Sequence, residues 1–311
     1  MTAAGAGPQA GTHVLVTGWP SFLHGEATAG DVLSMEAVRA ALVSAGIGCE
    51  LAWSPVFRPD GPALDDADPS RFSHLVFTCG PLHGVQIEQL HLRYGSCTRI
   101  AVGVSVIDPG DPAVTGFHIV IPRDAAHLAP RRDLAALSPV RQVPVAGVVL
   151  AGAQPEYGRA GWHAKVTGDL VAWLGGLNCG RVPLDTRLDA RDWQHHATPG
   201  QLESIIGRLD VVVTTRLHGL VLALKNGVPA LAVDPVAGGA KVAAQARAWG
   251  WPALTAPVPL DPRQLDALWE WSLSADALAR AASVRSGRQS PTLSESLLTA
   301  LRGELVGRLP G

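Results

Sequence analysis

The chain has 311 residues, 47% hydrophobic and 17% charged, enough to bury a large core and more than one compact domain usually holds. A net charge of −2 and a pI near 6.6 exclude any general electrostatic pull toward nucleic acid or an anionic membrane. Any anion that binds must meet a local site.

The four cysteines, Cys49, Cys79, Cys97 and Cys179, have neither CxxC nor Cys/His spacing, which argues against a zinc centre or a disulfide framework. Buried free thiols and no metal are expected. The opening MTAAGAGPQAGT lacks the basic start and apolar core of a secretory signal, and no uncharged apolar run approaches the length of a spanning helix. This predicts a cytoplasmic protein. Only three of the 25 basic residues are lysines, Lys165, Lys225 and Lys241, so each one stands out.

HVLVTG (13–18) reads as a buried strand, followed by a loop through WPSFLHGEATAGD. Asp31 is expected to cap a helix over VLSMEAVRAALVSAG, where Met35, Val38, Leu42 and Ala45 recur at helical spacing before Gly46. CELAW then reads as a second strand. Further strands are expected at SHLVFTCG (73–80), RIAVGVSV (99–106) and HIVIP, ending at Arg123, with a helix over 84–93. Apolar runs without alternation mark strands buried on both faces, as parallel sheets require.

The first half is expected to close near VPVAGVVL, and AGAQPEYGRAG (151–161) reads as a linker. Beyond it come a helix (162–174), a strand around NCGRVPL, a helix (201–208), and strand, helix, strand over DVVVTTRLHGLVLALKNGVPALAVD (210–234). From 262 onward the pattern is helical, and Trp269 and Trp271 are assigned to packing. The fold class is α/β: two tandem Rossmann-like, doubly wound domains over 1–150 and 151–311.

If VVVTT is a central parallel strand, Arg216 and His218 lie at its carboxyl end, on the first turn of the next helix, where ligands of open α/β sheets bind. A helix start offers unpaired N–H groups, and arginine adds a planar fork for a phosphate or carboxylate. A purely structural alternative pairs Arg216 with an acid such as Asp210 and packs His218 on the next helix. Spacing alone does not separate the two. His195 and His196 lack ligand spacing, and Arg123, Arg131 and Arg132 lack interleaved aromatics. Neither a P-loop nor a GxGxxG after the first strand is present.

The block TTRLHGLVLALKNGVPALAVD resembles the arginine, any residue, histidine motif of the polysaccharide pyruvyl transferase family, with Lys241 where the family carries a lysine shortly after the next strand. HVLVTG with Gly30 and Asp31, LVFTCGPLHG, and IVIPRD with Arg123 are similar to its first half, so the likeness runs from about residue 13 to about 255. The glycine-rich turn is reduced to Cys79-Gly80-Pro81, and the Asp31 loop is elongated around His24 and Glu26.

The resemblance implies a glycosyltransferase-B-like pair of domains with an interdomain cleft. It also implies transfer of pyruvyl carbons from phosphoenolpyruvate to sugar hydroxyls, with no cofactor. His218 would move protons, and Asp31 would orient the acceptor or take a hydroxyl proton unless it is only a helix cap. Arg216, Lys241, Arg123 and Glu26 would bind substrate, although Arg123 could instead form a strand-end pair with Asp124 or Asp108. The first domain would hold the acceptor and the second the donor. The partners implied are a small-molecule donor and a sugar or glycan. A peripheral membrane encounter through a lipid-linked acceptor, and self-association, stay open. The competing readings are a nucleotide-sugar glycosyltransferase of similar architecture and a non-catalytic glycan-binding relative.

Overall fold

A computed structural model describes residues 11–126, 128–139, 142–255, 259–286 and 293–302. The first residues of the MTAAGAGPQAGT stretch lie outside the described residues. The chain divides into two compact units, Met1–Arg141 and Gln142–Gly311.

In the first unit, β1 (His13–Gly18), α1 (Ala29–Ser44), β2 (Gly48–Leu51), β3 (His74–Thr78), α2 (Val85–Arg93), β4 (Thr98–Val106), α3 (Pro112–Thr115) and β5 (Ile119–Ala125) follow in chain order. The all-parallel sheet has the order β2-β1-β3-β4-β5. Its strands are apolar on both faces because both are covered. Leu15, Leu75 and Phe77 join one core cluster with Ile87 and Tyr94. Val14, Val16 and Val76 face the other, with Met35.

Two details of this unit correct the sequence reading. The helix starts at Ala29, and its cap is Thr28, whose hydroxyl oxygen accepts the Asp31 N–H at 3.2 Å and whose O–H donates to the Asp31 carboxylate at 2.7 Å. Asp31 therefore belongs to the first turn, and Gly46 ends the helix region in the left-handed conformation at φ 72°. In addition, Arg123 sits inside β5 rather than at its end. Pro122 is tolerated there because β5 is an edge strand, paired to β4 through an irregular register.

The second unit contains β6 (Val145–Val149), α4 (His163–Gly176), β7 (Gly180–Pro183), α5 (Pro199–Ile206), β8 (Val211–Thr214), α6 (Leu217–Lys225), β9 (Ala230–Asp234), α7 (Lys241–Ala248) and β10 (Ala253–Thr255). The helices α8 (Pro262–Ser272), α9 (Ala275–Ser286) and α10 (Leu293–Leu301) follow. Its sheet is again parallel, in the order β10-β9-β8-β6-β7. Val212, Ala230 and Ala232 face one cluster, and Val211, Val213, Leu231 and Val233 the other. Trp269 packs edge to face on Trp173 at 5.9 Å, and Trp271 lies 5.0 Å from Trp251, so both are packing residues.

VPVAGVVL does not close the first half. Its strand β6 lies inside the second sheet, between β8 and the edge strand β7, so the division falls before it rather than at 150. Nor is 151–161 a linker between units. A Gly161–Val236 bridge, a Trp162 N–H to Pro235 carbonyl bond at 2.8 Å and an Ala237 N–H to Ala160 carbonyl bond at 2.9 Å tie it to the loop after β9.

Candidate functional site

In each sheet the second strand in sequence lies to one side of the first and the third to the other, so chain connections diverge between the first and third. Ligands of doubly wound sheets bind at such a switch point, beyond the carboxyl ends of the strands. In the second unit it lies between β6 and β8. The Thr214 hydroxyl ties the two strand ends together, donating to the Val149 carbonyl at 2.9 Å and accepting the Arg216 N–H at 2.9 Å. The Ala151 N–H in turn donates to Thr215 Oγ1 at 2.7 Å.

Above this point opens a pocket of about 280 Å³ lined by Gln154, Thr186, Arg216, Leu217, His218 and Lys241. Four of the five strand ends contribute: Gln154 follows β6, Thr186 follows β7, Arg216 and His218 follow β8, and Lys241 begins α7 after β9. Arg216, His218 and Lys241, three of the six site residues expected from sequence, thus share one cavity.

Arg216 is held by one end only. Its Nη1 donates to Asp185 Oδ1 and to Thr186 Oγ1, both at 2.9 Å. Nε is buried with no acceptor, and no group among the described residues accepts from Nη2. The structural alternative is therefore half met, with a different acid. Asp210 is committed elsewhere, accepting the Val145 N–H at 2.7 Å. Burial works to raise the Asp185 carboxyl, but hydrogen bonds from the Arg187 amide and side chain and the Arg216 charge hold it below the usual carboxylate range. His195 lies behind this pair, its Nδ1 2.7 Å from Asp192 and its Nε2 4.0 Å from Asp185.

Two helices start at this edge, and only one is open. The first turn of α7 is closed by the fully buried Asp234, whose carboxylate accepts the N–H groups of Ala240 and Ala243 at 2.7 and 2.8 Å and of Val236 at 3.1 Å. No side chain caps α6, so its first N–H groups remain available to an anion. Lys241 has no carboxylate partner among the described residues and lies over the Tyr157 ring at 5.6 Å. Tyr157 stacks on His163 at 6.1 Å, and burial, then the Lys241 charge, push the His163 imidazole below its ordinary value. His218 is exposed and accepts no bond from a neighbour among the described residues, rather than packing on the next helix.

The other three expected site residues belong to the first unit. Arg123 uses Nε on Asp124 at 2.7 Å, Nη1 on Asp133 at 2.5 Å and Nη2 on Ser105 at 2.7 Å. The ion-pair alternative with Asp124 holds, and all three of its nitrogens are engaged. Asp31 is bound to Thr28 as above, and Glu26 is exposed in its loop. Cys79 takes φ 61°, a conformation that favours glycine, and burial followed by the adjacent Asp31 pushes its thiol up.

Sequence reasoning missed Gln154, Thr186 and Asp185. For Gln154 and Thr186 a signal was available: they lie just past the ends of β6 and β7, at the same carboxyl edge of the sheet as Arg216 and His218. Among the described residues no cluster of three or more His, Cys, Asp or Glu could hold a metal ion. No helix among them is long and apolar enough to cross a membrane.

The polysaccharide pyruvyl transferase family model matches residues 159–235. That span includes Arg216 and His218 and excludes Gln154 and Lys241. The wider likeness expected across the first half lies outside it. The match supports reading the chain as a transferase that acts on polysaccharides. No curated protein matches the sequence. Similar solved structures are glycosyltransferases. That of kitacinnamycin has 14% identity and a TM-score of 0.35, over 96% of this chain and 100% of that one. Spinosyn rhamnosyltransferase SpnG complexed with thymidine diphosphate has 14% identity and a TM-score of 0.36, over 94% and 100%. The E. coli heptosyltransferase WaaC with ADP has 11% identity and a TM-score of 0.27, over 84% and 100%. At these scores the likenesses add nothing to the chemistry of the site.

Proposed function

We propose that the chain transfers the pyruvyl carbons of phosphoenolpyruvate to hydroxyls of a sugar acceptor, forming a ketal and releasing phosphate. One observation carries this reading. Arg216 is anchored through Nη1, and its Nε and Nη2, the paired edge that fits a carboxylate or phosphate, is left without an acceptor in a pocket that also holds Lys241 and the uncapped start of α6. A small donor with two anionic groups needs such a concentration of positive charge, and this one lies in the span matched by the family model and at the start of α7 just beyond it.

The chemistry needs a proton at C3 of the enol, an acceptor oxygen at C2, and departure of phosphate through cleavage of its bond to C2, after which a second hydroxyl closes the ring. His218 is assigned the proton transfer, because imidazole changes charge near neutral pH and this ring is exposed at the mouth of the pocket. Arg216 and Lys241 hold the donor anions and stabilise the leaving phosphate. In the first unit, Asp31 and Glu26 are the residues assigned to the acceptor.

The test is phosphate release by the purified chain with phosphoenolpyruvate and a panel of sugar acceptors. Release that depends on both substrates supports the reading. Release of nucleoside diphosphate from nucleotide sugars, with none from phosphoenolpyruvate, refutes it.

A further inference from the structure

The same pocket contains a second unsatisfied group. Gln154 Oε1 is buried and has no hydrogen-bond partner, although Arg216 and Lys241 line the cavity with it. Buried carbonyl oxygens are rarely left in this state, because desolvation goes uncompensated. The backbone around it is fixed: the Gln154 carbonyl accepts the Tyr157 N–H at 3.2 Å, and the Gly161–Val236 bridge holds the segment beyond.

The chemistry of the possible occupants decides what meets this oxygen. An ionised phosphoenolpyruvate offers acceptors only, so it satisfies the Arg216 edge, Lys241 and the α6 amides, and leaves Oε1 as it was. An amide oxygen needs a donor. The attacking acceptor has one, and it must arrive within contact distance of the donor carbon for reaction to occur. Resting on the pyruvyl-transfer reading, we infer that Gln154 is a substrate-binding residue that receives the reacting hydroxyl of the acceptor through a hydrogen bond to Oε1, beside the donor held by Arg216 and Lys241. The amide takes no proton. It aims the oxygen lone pair at C2 while His218 handles proton transfer.

The experiment uses the full chain, Gln154→Ala and Gln154→Met, the latter keeping side-chain length without an amide. Circular dichroism melts establish that both fold. Calorimetry measures phosphoenolpyruvate affinity, and phosphate release is followed with methyl hexopyranosides as acceptor probes. The expected result is a loss of about 10-fold or more in kcat/KM for the hexopyranoside, with affinity and KM for phosphoenolpyruvate within about twofold of wild type. A 10-fold loss of phosphoenolpyruvate affinity in the variants would make Gln154 a donor-binding group and overturn the inference. Unchanged acceptor efficiency overturns it too, as does a wild type that binds phosphoenolpyruvate yet releases no phosphate with any hexopyranoside. A wild type that fails to bind phosphoenolpyruvate removes the donor reading itself, which separates that failure from one confined to Gln154.

Discussion

Arg216 donates Nη1 to the Asp185 carboxylate at 2.9 Å, and this bond, together with one of equal length from Nη1 to the Thr186 hydroxyl, sets the orientation of the guanidinium. Because the group is planar, fixing Nη1 against Asp185 and Thr186 turns the Nε and Nη2 edge away from both. A lysine at this position would keep the charge and lose the fork. With charge-assisted hydrogen bonds worth about 1.5–3 kcal/mol each, Arg216→Lys is expected to weaken phosphoenolpyruvate binding by about 10- to 100-fold. Calorimetric titration checks this. Wild-type affinity in the variant would mean the free edge faces no ligand.

His218→Ala is expected to act on turnover rather than on binding. The ring is exposed, so its removal leaves no cavity and the melting temperature should stay close to wild type. Loss of a proton-transfer group typically costs about 10²–10⁴-fold in rate. The fall should appear in kcat, with phosphoenolpyruvate affinity little changed. Equal turnover by wild type and variant removes the histidine from the mechanism.

The positions of Arg216 and His218 were legible because a local pattern carries them: a β-branched apolar run, then a helix with Arg216 at its extended N-cap position, just before the first turn expected for it, and His218 in that turn. Partners remote in sequence were not. Asp185 lies 31 residues before Arg216, and nothing in the intervening chain distinguishes it from Asp210. The misplaced domain boundary has the same origin. VPVAGVVL is an apolar run that suits the centre of either sheet, and its pairing with β8 becomes apparent only across a separation of 65 residues. The helix cap was a misreading of local chemistry. Thr28 and Asp31 stand three apart, a Thr-x-x-acid capping pattern that places the threonine at the cap.

Two histidines should couple stability to pH. Burial lowers the imidazoles of His91 and His163, the second aided by Lys241. Below the ordinary histidine value of about 6.5, the unfolded chain takes up protons that these native side chains refuse. The unfolded state then binds more protons than the native state, so stability rises with pH across this window and falls as pH drops from 7 toward 5. The urea midpoint is expected to decline over that range. In His91→Gln/His163→Gln the decline should be shallower, even if the variant is less stable at neutral pH. Identical slopes would show that other groups set the acid limb.

The start of α6 depends on a position that accepts no side chain. A Cβ at Gly219 would stand 2.1 Å from Thr214 Oγ1 and 3.2 Å from Val149 Cγ1. Thr214 Oγ1 is the atom that joins the ends of β6 and β8 and receives the Arg216 N–H. Gly219→Ala must therefore displace either the helix or that hydroxyl, and overpacking of this kind typically costs about 1–3 kcal/mol. Because the displaced atoms position Arg216, the same substitution is expected to weaken phosphoenolpyruvate binding. Gly168→Ala provides the contrast: it lies within α4 with nothing within 4 Å of the new methyl. There the gain in helix propensity, about 0.5–1 kcal/mol, should raise the urea midpoint and leave binding unaltered. If Gly219→Ala bound phosphoenolpyruvate as wild type does, the pocket would not depend on the geometry of the α6 start, and the anion site would have to lie elsewhere.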